Sequence, residues 1–369
     1  MSILQAPARV IRGSLPKDGR TLVISDIHAN KTLLDRLLRQ AEYRPGEDRL
    51  ILLGDFLLKG KENLATLRRV MELASIPGVT VLRGNCDDIL EIIARNYPSG
   101  GMENFLRRSG FCREVWQEAG LDTWDHLSAE ELLAKLDETI PEELAFIHSL
   151  PDILETEHFI FVHGGIYDGR QQAFEQLDSF DCRKCDRFLQ QGYTFEKYVV
   201  TGHWPVTSYP RALADHCPLV DEAQKIISID GGCSVQWGAQ LNALVIENGR
   251  PEGMHWFFVD ALPRVRALAA QAERFSAKRM YWECDTVEVL TQQVDLCRVR
   301  QQGTEEIFNC PTALLWQDGA GNTHTGDLSE YVPAVEAGQV IAVIAQGETW
   351  VYGKVNGIEG WYYGPVAEV

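Results

Sequence analysis

Six polar side chains of types that bind metals occur within the first 203 residues of the chain, each close behind an apolar run. They lie in the short motifs SDIH, GD, GN, HGG and GH and are Asp26, His28, Asp55, Asn85, His163 and His203. One such motif alone indicates little, because Gly-Asp and Gly-Asn pairs usually mark turns and a lone buried histidine is usually a core residue. Six carboxylate, amide and imidazole groups that converge on one place could hold two divalent cations.

The residue types favour a pair of first-row metal ions. The six divide into a bridge and the remaining ligands of each ion: Asp55 as the bridge, Asp26 and His28 on one ion, and Asn85, His163 and His203 on the other. Nitrogen and oxygen ligands without thiolate favour Mn, Fe or Zn over a Cys-rich structural zinc site. Two ions about 3.5–4 Å apart turn a shared water into hydroxide and clamp the attacking and leaving oxygens at phosphorus. The expected reaction is therefore the hydrolysis of phosphate esters.

Repeated strand, loop and helix patterns bring these residues to one edge of an α/β fold. The predicted strands are TLVIS, RLILLGD, VTVLRGN, HFIFVHGG, KYVVTGH, KIISIDGG and LNALVIENG. Two of them are followed by segments with leucines at helical spacing, KTLLDRLLRQ and NLATLRRVMELA. Open α/β sheets bind ligands beyond the carboxyl ends of their strands, and five of the predicted strands end at candidate ligands.

Three further segments complete the predicted organisation. Residues 88–148 lack strand signals and contain amphipathic pieces, which predicts a helical insertion over the site. Residues 263–280 (PRVRALAAQAERFSAKRM) are predicted to form a linking helix. From residue 284, β-branched and aromatic residues alternate with Gly, Asn and Asp turns, which indicates a small all-β barrel. The predicted domains are 1–265, with the catalytic residues, and 281–369.

Composition restricts the partners. The 369 residues include 53 acidic and 35 basic side chains, a net charge of −18, which disfavours binding to a nucleic acid polymer. We expect a phosphorylated small molecule, nucleotide or phosphoprotein as substrate. No apolar tract predicts a membrane span or a secretion signal, and the nine cysteines show no disulfide pattern. These features predict a cytoplasmic protein with reduced thiols.

The order and spacing of the motifs resemble the calcineurin-like metallophosphoesterase superfamily over roughly residues 20–250. The segments FVHGG, VTGHWPV and ISIDGGCSVQWGAQLNAL resemble its phosphoprotein phosphatase branch, which includes bacterial Ser/Thr phosphatases and symmetrical diadenosine tetraphosphatases. The resemblance implies a β-sandwich flanked by helices, six metal ligands and a metal-bridging hydroxide as the nucleophile. It also implies that Asp55 and Asn85 take part in catalysis.

The chain departs from this branch at four positions. Where the branch has Gly-Asp-X-Val-Asp-Arg-Gly, this chain has GDFLLKG, so Leu58 and Lys59 replace an aspartate and a phosphate-binding arginine. Where the branch has Gly-Asn-His-Glu, Cys86 and Asp87 occupy the last two positions, and with Lys59 they are kept as candidate catalytic residues. The missing histidine and aspartate normally protonate the leaving group, and a thiol replaces an imidazole poorly as general acid. Lys59 could still contact phosphate as a point charge, or be a solvated turn residue.

Three functions remain open. The first, which the resemblance favours, is a phosphoesterase. Its substrates would be phosphomonoesters, as for the phosphoprotein phosphatases, or activated phosphodiesters. A nucleotide hydrolase like the diadenosine tetraphosphatases is the nearest alternative, and a weakly active metal-binding regulatory module is the third. The C-terminal region resembles bacterial SH3-like domains. Its aromatic residues could line a peptide or glycan groove, pack against the catalytic domain or fill the small core (Trp350, Tyr352, Trp361 and Tyr362). Cys182 and Cys185 form a CxxC pair, for which a metal or redox role is disfavoured. The intervening Arg183 and Lys184 could bind phosphate but are rather expected to be surface charges.

Overall fold

The computed structural model describes residues 6–96, 101–167 and 173–369, which form two compact units. The first unit comprises the described residues up to Pro205 together with Pro218–Ser234 and Leu241–Val259. The second comprises Val206–Cys217, Val235–Gln240 and Asp260–Val369. The predicted domains were 1–265 and 281–369. In the structure, the second unit also includes Val206–Cys217 and Val235–Gln240, two short segments that connect strands of the first unit.

The first unit contains eleven strands and eight α-helices among its described residues. The strands are β1 (Val10–Arg12), β2 (Arg20–Ile24), β3 (Arg49–Leu52), β4 (Val79–Val81), β5 (Ile153–Glu155), β6 (Phe159–Val162), β7 (Tyr198–Thr201), β8 (Leu219–Asp221), β9 (Ile226–Ser228), β10 (Leu241–Glu247) and β11 (His255–Val259). The helices are α1 (Lys31–Gln40), α2 (Asn63–Ala74), α3 (Ile89–Asn96), α4 (Met102–Arg108), α5 (Gly110–Glu118), α6 (Ala129–Thr139), α7 (Pro141–Ser149) and α8 (Ser179–Arg183).

Two sheets pack face to face in this unit. One has the strand order β11-β10-β2-β3-β4, and the other has β1-β5-β6-β7-β9-β8. Strands β2, β3 and β4 are parallel, as are β6, β7 and β9, so their carboxyl ends share an edge within each sheet. Apolar side chains from both sheets form the core between them, among them Val23, Ile51, Phe161, Val200 and Leu244. This arrangement confirms the predicted α/β sandwich.

Helices α1, α2 and α5–α7 cover the outer face of the first sheet, and α8 with irregular chain packs on that of the second. Leucines of α1 and α2 pack on the outward side chains of β2 and β3, and the buried residues of α5, α6 and α7 extend the same core. Helix α5 also caps α2: the Glu114 carboxylate accepts hydrogen bonds from the amides of Asn63 (2.9 Å) and Leu64 (2.8 Å). In turn, Asn63 Oδ1 accepts a hydrogen bond from the Leu58 amide at 2.9 Å. The helices of residues 89–149 thus support the loop that carries Lys59.

The second unit contains strands and short 3-10 turns but no α-helix within its described residues, which confirms the all-β prediction. Its strands are β12 (Arg264–Ala267), β13 (Arg279–Met280), β14 (Val287–Gln292), β15 (Leu296–Gln301), β16 (Ile307–Pro311), β17 (Trp316–Gln317), β18 (Thr323–His324), β19 (Leu328–Ser329), β20 (Val340–Gln346), β21 (Val351–Val355), β22 (Ile358–Tyr362) and β23 (Val366–Glu368). Its largest sheet has the order β22-β21-β20-β12-β23.

In the C-terminal region the expectation of a linking helix was wrong, and for the aromatic residues the core position is the alternative that the structure supports. The predicted linking helix at 263–280 is instead strand β12, paired with β20 and β23, followed by irregular chain and strand β13. The four aromatic residues considered for a ligand groove lie inside the unit, each no more than 6 % exposed (Trp350, Tyr352, Trp361 and Tyr362). They fill the core of the unit, so they provide no surface for a peptide.

Among the described residues, no helix combines the length and the apolar character needed to cross a membrane.

Candidate metal centre

The six candidate ligands lie just beyond the carboxyl ends of five strands of the first unit. Asp26 and His28 follow β2, Asp55 follows β3, and Asn85 follows β4. In the other sheet, His163 comes directly after β6 and His203 two residues after β7. Four of the six have the left-handed backbone that non-glycine residues rarely adopt: Asp26, His28, Asp55 and His203, with φ between 46° and 65°. Such strain is typical of functional sites, where the surrounding fold holds it in place.

Asp55 lies at the centre of the group, with its two carboxylate oxygens directed towards different histidines. Its Oδ1 is 3.3 Å from His163 Nε2, and its Oδ2 is 3.8 Å from His28 Nε2. Asp26, Asp55 and His163 each offer one ligand atom within 4.8 Å of the others. Burial alone would raise the pKa of Asp55, but the adjacent His163 and His28 lower it below its ordinary value. These imidazoles therefore favour the ionised form of the carboxylate, which is the form that binds metal ions.

On one side of Asp55, His28 has one ring nitrogen fixed and the other directed at the carboxylates. His28 Nδ1 is 3.1 Å from the carbonyl oxygen of Leu57, which orients the ring. His28 Nε2 is 3.9 Å from Asp26 Oδ1, further than a hydrogen bond. Asp26 is held by the amide of His203, which donates to its two oxygens at 3.2 and 3.0 Å.

On the other side, His163, Asn85 and His203 come together. His163 Nε2 is 3.2 Å from Asn85 Oδ1, and its Nδ1 is 2.9 Å from the carbonyl oxygen of Leu53. The rings of His163 and His203 are 5.4 Å apart between centroids. Although burial opposes it, Asp55 and Asp26 raise the pKa of His163 to about 9. All six predicted ligands thus meet at one place.

Glycine is required where two of the motif loops touch. A Cβ at Gly84 would lie 2.2 Å from Asp55 Oδ1, and a Cβ at Gly202 would lie 2.1 Å from Asp26 Oδ2. Both distances are far below van der Waals contact, so any larger residue would displace a candidate ligand. The Gly-Asn and Gly-His pairs therefore reflect close packing of loops around the carboxylates and not merely turn formation.

Asp87, a candidate catalytic residue, holds the backbone of the turn that carries Asp55. It is fully buried, and its carboxylate accepts hydrogen bonds from the amides of Gly84, Asp55, Phe56 and Leu57 at 2.7, 2.9, 2.9 and 3.2 Å. Burial and the nearby Asp55 raise the pKa of Asp87 to about 7, while these amide donors oppose the rise. The residue positions the turn that carries Asp55 and has no free oxygen for a substrate.

The other three departures from the branch pattern surround the same centre. Cys86 is 9 % exposed, its amide donates to Asp55 Oδ1 at 2.7 Å, and burial together with Asp55 raises the pKa of its thiol. Lys59 is exposed, has left-handed backbone (φ 66°), and is near enough to Cys86 for its charge to act on the thiol. Leu58 packs against the apolar core. The position of Lys59 is compatible with a contact to phosphate.

Sequence reasoning missed two acidic residues near the centre. Asp186 Oδ1 is 2.8 Å from His203 Nε2, and this bond helps to lower the pKa of Asp186. Asp230, in the segment IDGG, is buried, and burial together with Asp26 raises its pKa well above the ordinary value. The strand-end position of Asp230 was a usable signal, whereas nothing in the local sequence marked Asp186.

The segment around the CxxC pair was partly misread. Arg183, expected at the surface, is 2 % exposed and forms ion pairs with Glu91 (2.7 Å) and Asp152 (3.3 Å). Cys182 and Cys185 are buried in an apolar cluster, and burial raises the pKa of both thiols, that of Cys185 to about 12. The segment therefore packs into the interior of the first unit.

The sequence profile of the calcineurin-like phosphoesterases matches residues 19–248, well over half of the chain. The chain belongs to this family. A symmetrical bis(5'-nucleosyl)-tetraphosphatase of Marinomonas sp. (strain MWYL1) is 23% identical over 274 residues, which cover 62% of this chain and 94% of that protein. Another, of Dechloromonas aromatica (strain RCB), is 38% identical over 74 residues, 20% of this chain and 26% of that protein. A solved protein serine/threonine phosphatase from Saccharomyces cerevisiae, with similarity to human phosphatase PP5, has TM-score 0.45 and 12% identity over 70% of this chain and 85% of that one.

Membership implies that this phosphoesterase hydrolyses phosphate esters, and two divalent ions are typical of its family. The residues present fit such ions. The buried groups of Asp26, Asp55 and His163 form one compact set of ligand atoms, and His28 lies in a second set that shares Asp55. Buried acidic groups packed this closely repel one another unless cations neutralise them.

Proposed function

We propose that the chain is a phosphoesterase whose two metal ions share Asp55. The observation that carries this proposal is the divergence of the Asp55 oxygens, one 3.3 Å from His163 Nε2 and the other 3.8 Å from His28 Nε2. A carboxylate with an imidazole at each oxygen is suited to bridge two ions. The remaining ligands are Asp26 and His28 on one side and Asn85, His163 and His203 on the other, with Mn, Fe or Zn as the expected ions.

The chemistry that bound ions would supply is charge stabilisation at phosphorus and activation of water as nucleophile. The protein's own residues position the reactants. The Cys86 amide and the four amides bound by Asp87 hold Asp55 in place, and the Leu57 carbonyl fixes the His28 ring. Lys59 is proposed to bind a phosphoryl oxygen as a point charge, without the bidentate geometry of arginine.

The residues at positions 58 and 86 determine which substrates fit this proposal. Leu58 packs against the core and has no acidic proton, and a thiol at position 86 replaces an imidazole poorly as general acid, so we propose that this pair gives the leaving group no proton. General acid catalysis typically contributes about 10²–10⁴-fold in rate, and most when the leaving group is a strong base. We therefore propose substrates whose leaving group departs as a stable anion: activated phosphodiesters, or phosphoanhydrides that release a nucleotide phosphate. Phosphoserine, which leaves as an alkoxide, is disfavoured.

A symmetrical diadenosine tetraphosphatase-like activity is the natural second candidate. The Marinomonas relative is named for that reaction, and the match extends over 94% of its length. Its leaving group is a nucleotide phosphate, which needs little protonation. For the second unit we keep the SH3-like barrel as a proposal, and for the chain a cytoplasmic location, both on sequence grounds.

The test compares four substrates with and without added Mn²⁺, Fe²⁺ or Zn²⁺. They are p-nitrophenyl phosphate, its bis-ester, diadenosine tetraphosphate and a phosphoserine peptide. We expect metal-dependent turnover of the bis-ester or of diadenosine tetraphosphate, with the peptide slowest. Asp55→Asn should abolish turnover, whereas the exposed control Asp137→Asn should retain it.

Two results would contradict the proposal. Wild-type protein that binds these ions but turns over none of the four substrates would favour the metal-binding regulatory module. Rapid hydrolysis of the phosphoserine peptide, at a rate close to that of the p-nitrophenyl esters, would contradict the leaving-group argument and restore the phosphoprotein phosphatase reading.

A further inference from the structure

The thiol of Cys86 lies beside two of the proposed metal ligands. Its Sγ, a ring nitrogen of His28 and a carboxylate oxygen of Asp55 all lie within 4.8 Å of one another. The position is firmly held, because the Cys86 amide donates to Asp55 Oδ1 at 2.7 Å. Asn85 Nδ2 also approaches Cys86 Sγ at 3.2 Å. Sulfur, nitrogen and oxygen atoms therefore converge on one small volume.

His28 supplies an independent sign that this volume is built for a ligand. The residue is 5 % exposed, and the Leu57 carbonyl engages its Nδ1 at 3.1 Å. Its Nε2 has no hydrogen bond among the described residues, and the nearest carboxylate oxygens are 3.8 and 3.9 Å away. A backbone carbonyl on one imidazole nitrogen, with the lone pair of the other left open, is the usual arrangement of a metal-binding histidine.

We propose that Cys86 is a thiolate ligand of the ion bound by His28 and Asp55, so that this ion has a mixed sulfur, nitrogen and oxygen set. This inference rests on the proposed function. On binding, a metal–sulfur bond replaces the S–H bond, and the proton is released to the buffer. A soft sulfur ligand favours Zn²⁺ or Co²⁺ over Mn²⁺, which prefers oxygen ligands. The residue at position 86 would then determine which metal ion this site prefers.

The experiment is a Co²⁺ titration of the full chain followed by absorbance. A thiolate bound to Co²⁺ gives a charge-transfer band in the near ultraviolet, whereas the visible d–d bands report Co²⁺ binding by any ligand. We expect both features in the wild type, and loss of the charge-transfer band alone in Cys86→Ser and Cys86→Ala. The control Cys112→Ser, which removes another buried thiol in helix α5, should keep both.

A competition assay gives a second readout that does not depend on activity. Loss of a group outside the coordination sphere already costs about 10- to 100-fold in metal affinity. We therefore expect Cys86→Ser to weaken Zn²⁺ binding by at least that factor and Mn²⁺ binding by much less.

The outcomes separate this inference from the proposed function. Visible Co²⁺ bands without a charge-transfer band in the wild type would overturn the thiolate ligand and leave the two-ion phosphoesterase intact. A charge-transfer band that survives in both Cys86 variants would also overturn it. Absence of all cobalt bands, together with no metal-dependent turnover, would defeat both proposals.

Discussion

Replacing Asp87 by asparagine tests whether this residue positions Asp55. The substitution keeps the size of the side chain but leaves one oxygen in place of two, so two of the four amides that now donate to Asp87 would face an NH₂ group. Because burial and Asp55 raise the pKa of Asp87 to about 7, the measurement is made at pH 8.5, where the carboxylate is ionised; a hydrogen bond to a charged group contributes about 1.5–3 kcal/mol, so losing two costs about 3–6 kcal/mol. Removing a buried charge returns part of this cost, and we expect a net loss of about 2–4 kcal/mol.

The assay is urea unfolding followed by tryptophan fluorescence, combined with a metal titration. Asp87→Asn should unfold at lower urea and bind metal more weakly, because the turn that carries Asp55 is no longer fixed. Asp122→Asn makes the same chemical change at an exposed position and should alter neither property. If Asp87→Asn matches the wild type within the about 0.5 kcal/mol typical of surface substitutions, and retains its metal affinity, the positioning role is refuted.

Two further predictions concern charged side chains. Lys59→Ala should lower kcat/KM for the best substrate by about 10- to 100-fold, which corresponds to the loss of one charge-assisted hydrogen bond. Lys61→Ala, at an exposed position nearby, should leave kcat/KM unchanged. If the two variants had equal effects, Lys59 would not contact the phosphate. The hydrogen bond to Asp88 raises the pKa of His148 in the folded protein. This bond therefore stabilises the fold at a pH below the pKa of histidine in the unfolded chain, about 6.5, and the stabilisation is lost as the pH rises through the higher pKa of the folded state. His148→Gln should therefore lower the melting temperature more at pH 5.5 than at pH 8.5, with exposed His158→Gln as the control; a pH-independent effect would contradict this.

The parts of the fold that could be predicted from sequence are those with strong local patterns. Buried parallel strands appear as short apolar runs, and a ligand that follows such a run must lie at the edge where the strands end. This reasoning brought Asp26, Asp55 and Asn85 to one place, and His163 and His203 to the same place, although nearly 180 residues separate the first from the last. Helices α1 and α2 were recognisable because their leucines repeat at helical spacing.

The errors arose where distant partners override the local pattern. Residues 263–280 have helical composition, yet β20 and β23 pair with residues 264–267 as a strand, and no local signal reports that pairing. Arg183 looks like a surface charge until Glu91 and Asp152, remote in sequence, are seen to pair with it in the interior. Asp87 likewise acts through backbone amides of a different loop, which sequence spacing does not reveal.

The residues at positions 58 and 86, which both differ from the branch pattern, can be explained together. In the branch that the chain resembles, an aspartate at position 58 supports the acid histidine at position 86. Without that imidazole, a carboxylate at 58 would have to pack against the apolar core at a cost in free energy, whereas leucine packs there favourably. Without a role as general acid, the side chain at position 86 can act as a metal ligand, and the Cys86 thiol lies close enough to His28 and Asp55 to do so. Under the two proposals above, the loss of leaving-group protonation and the gain of a soft ligand would both follow from this exchange.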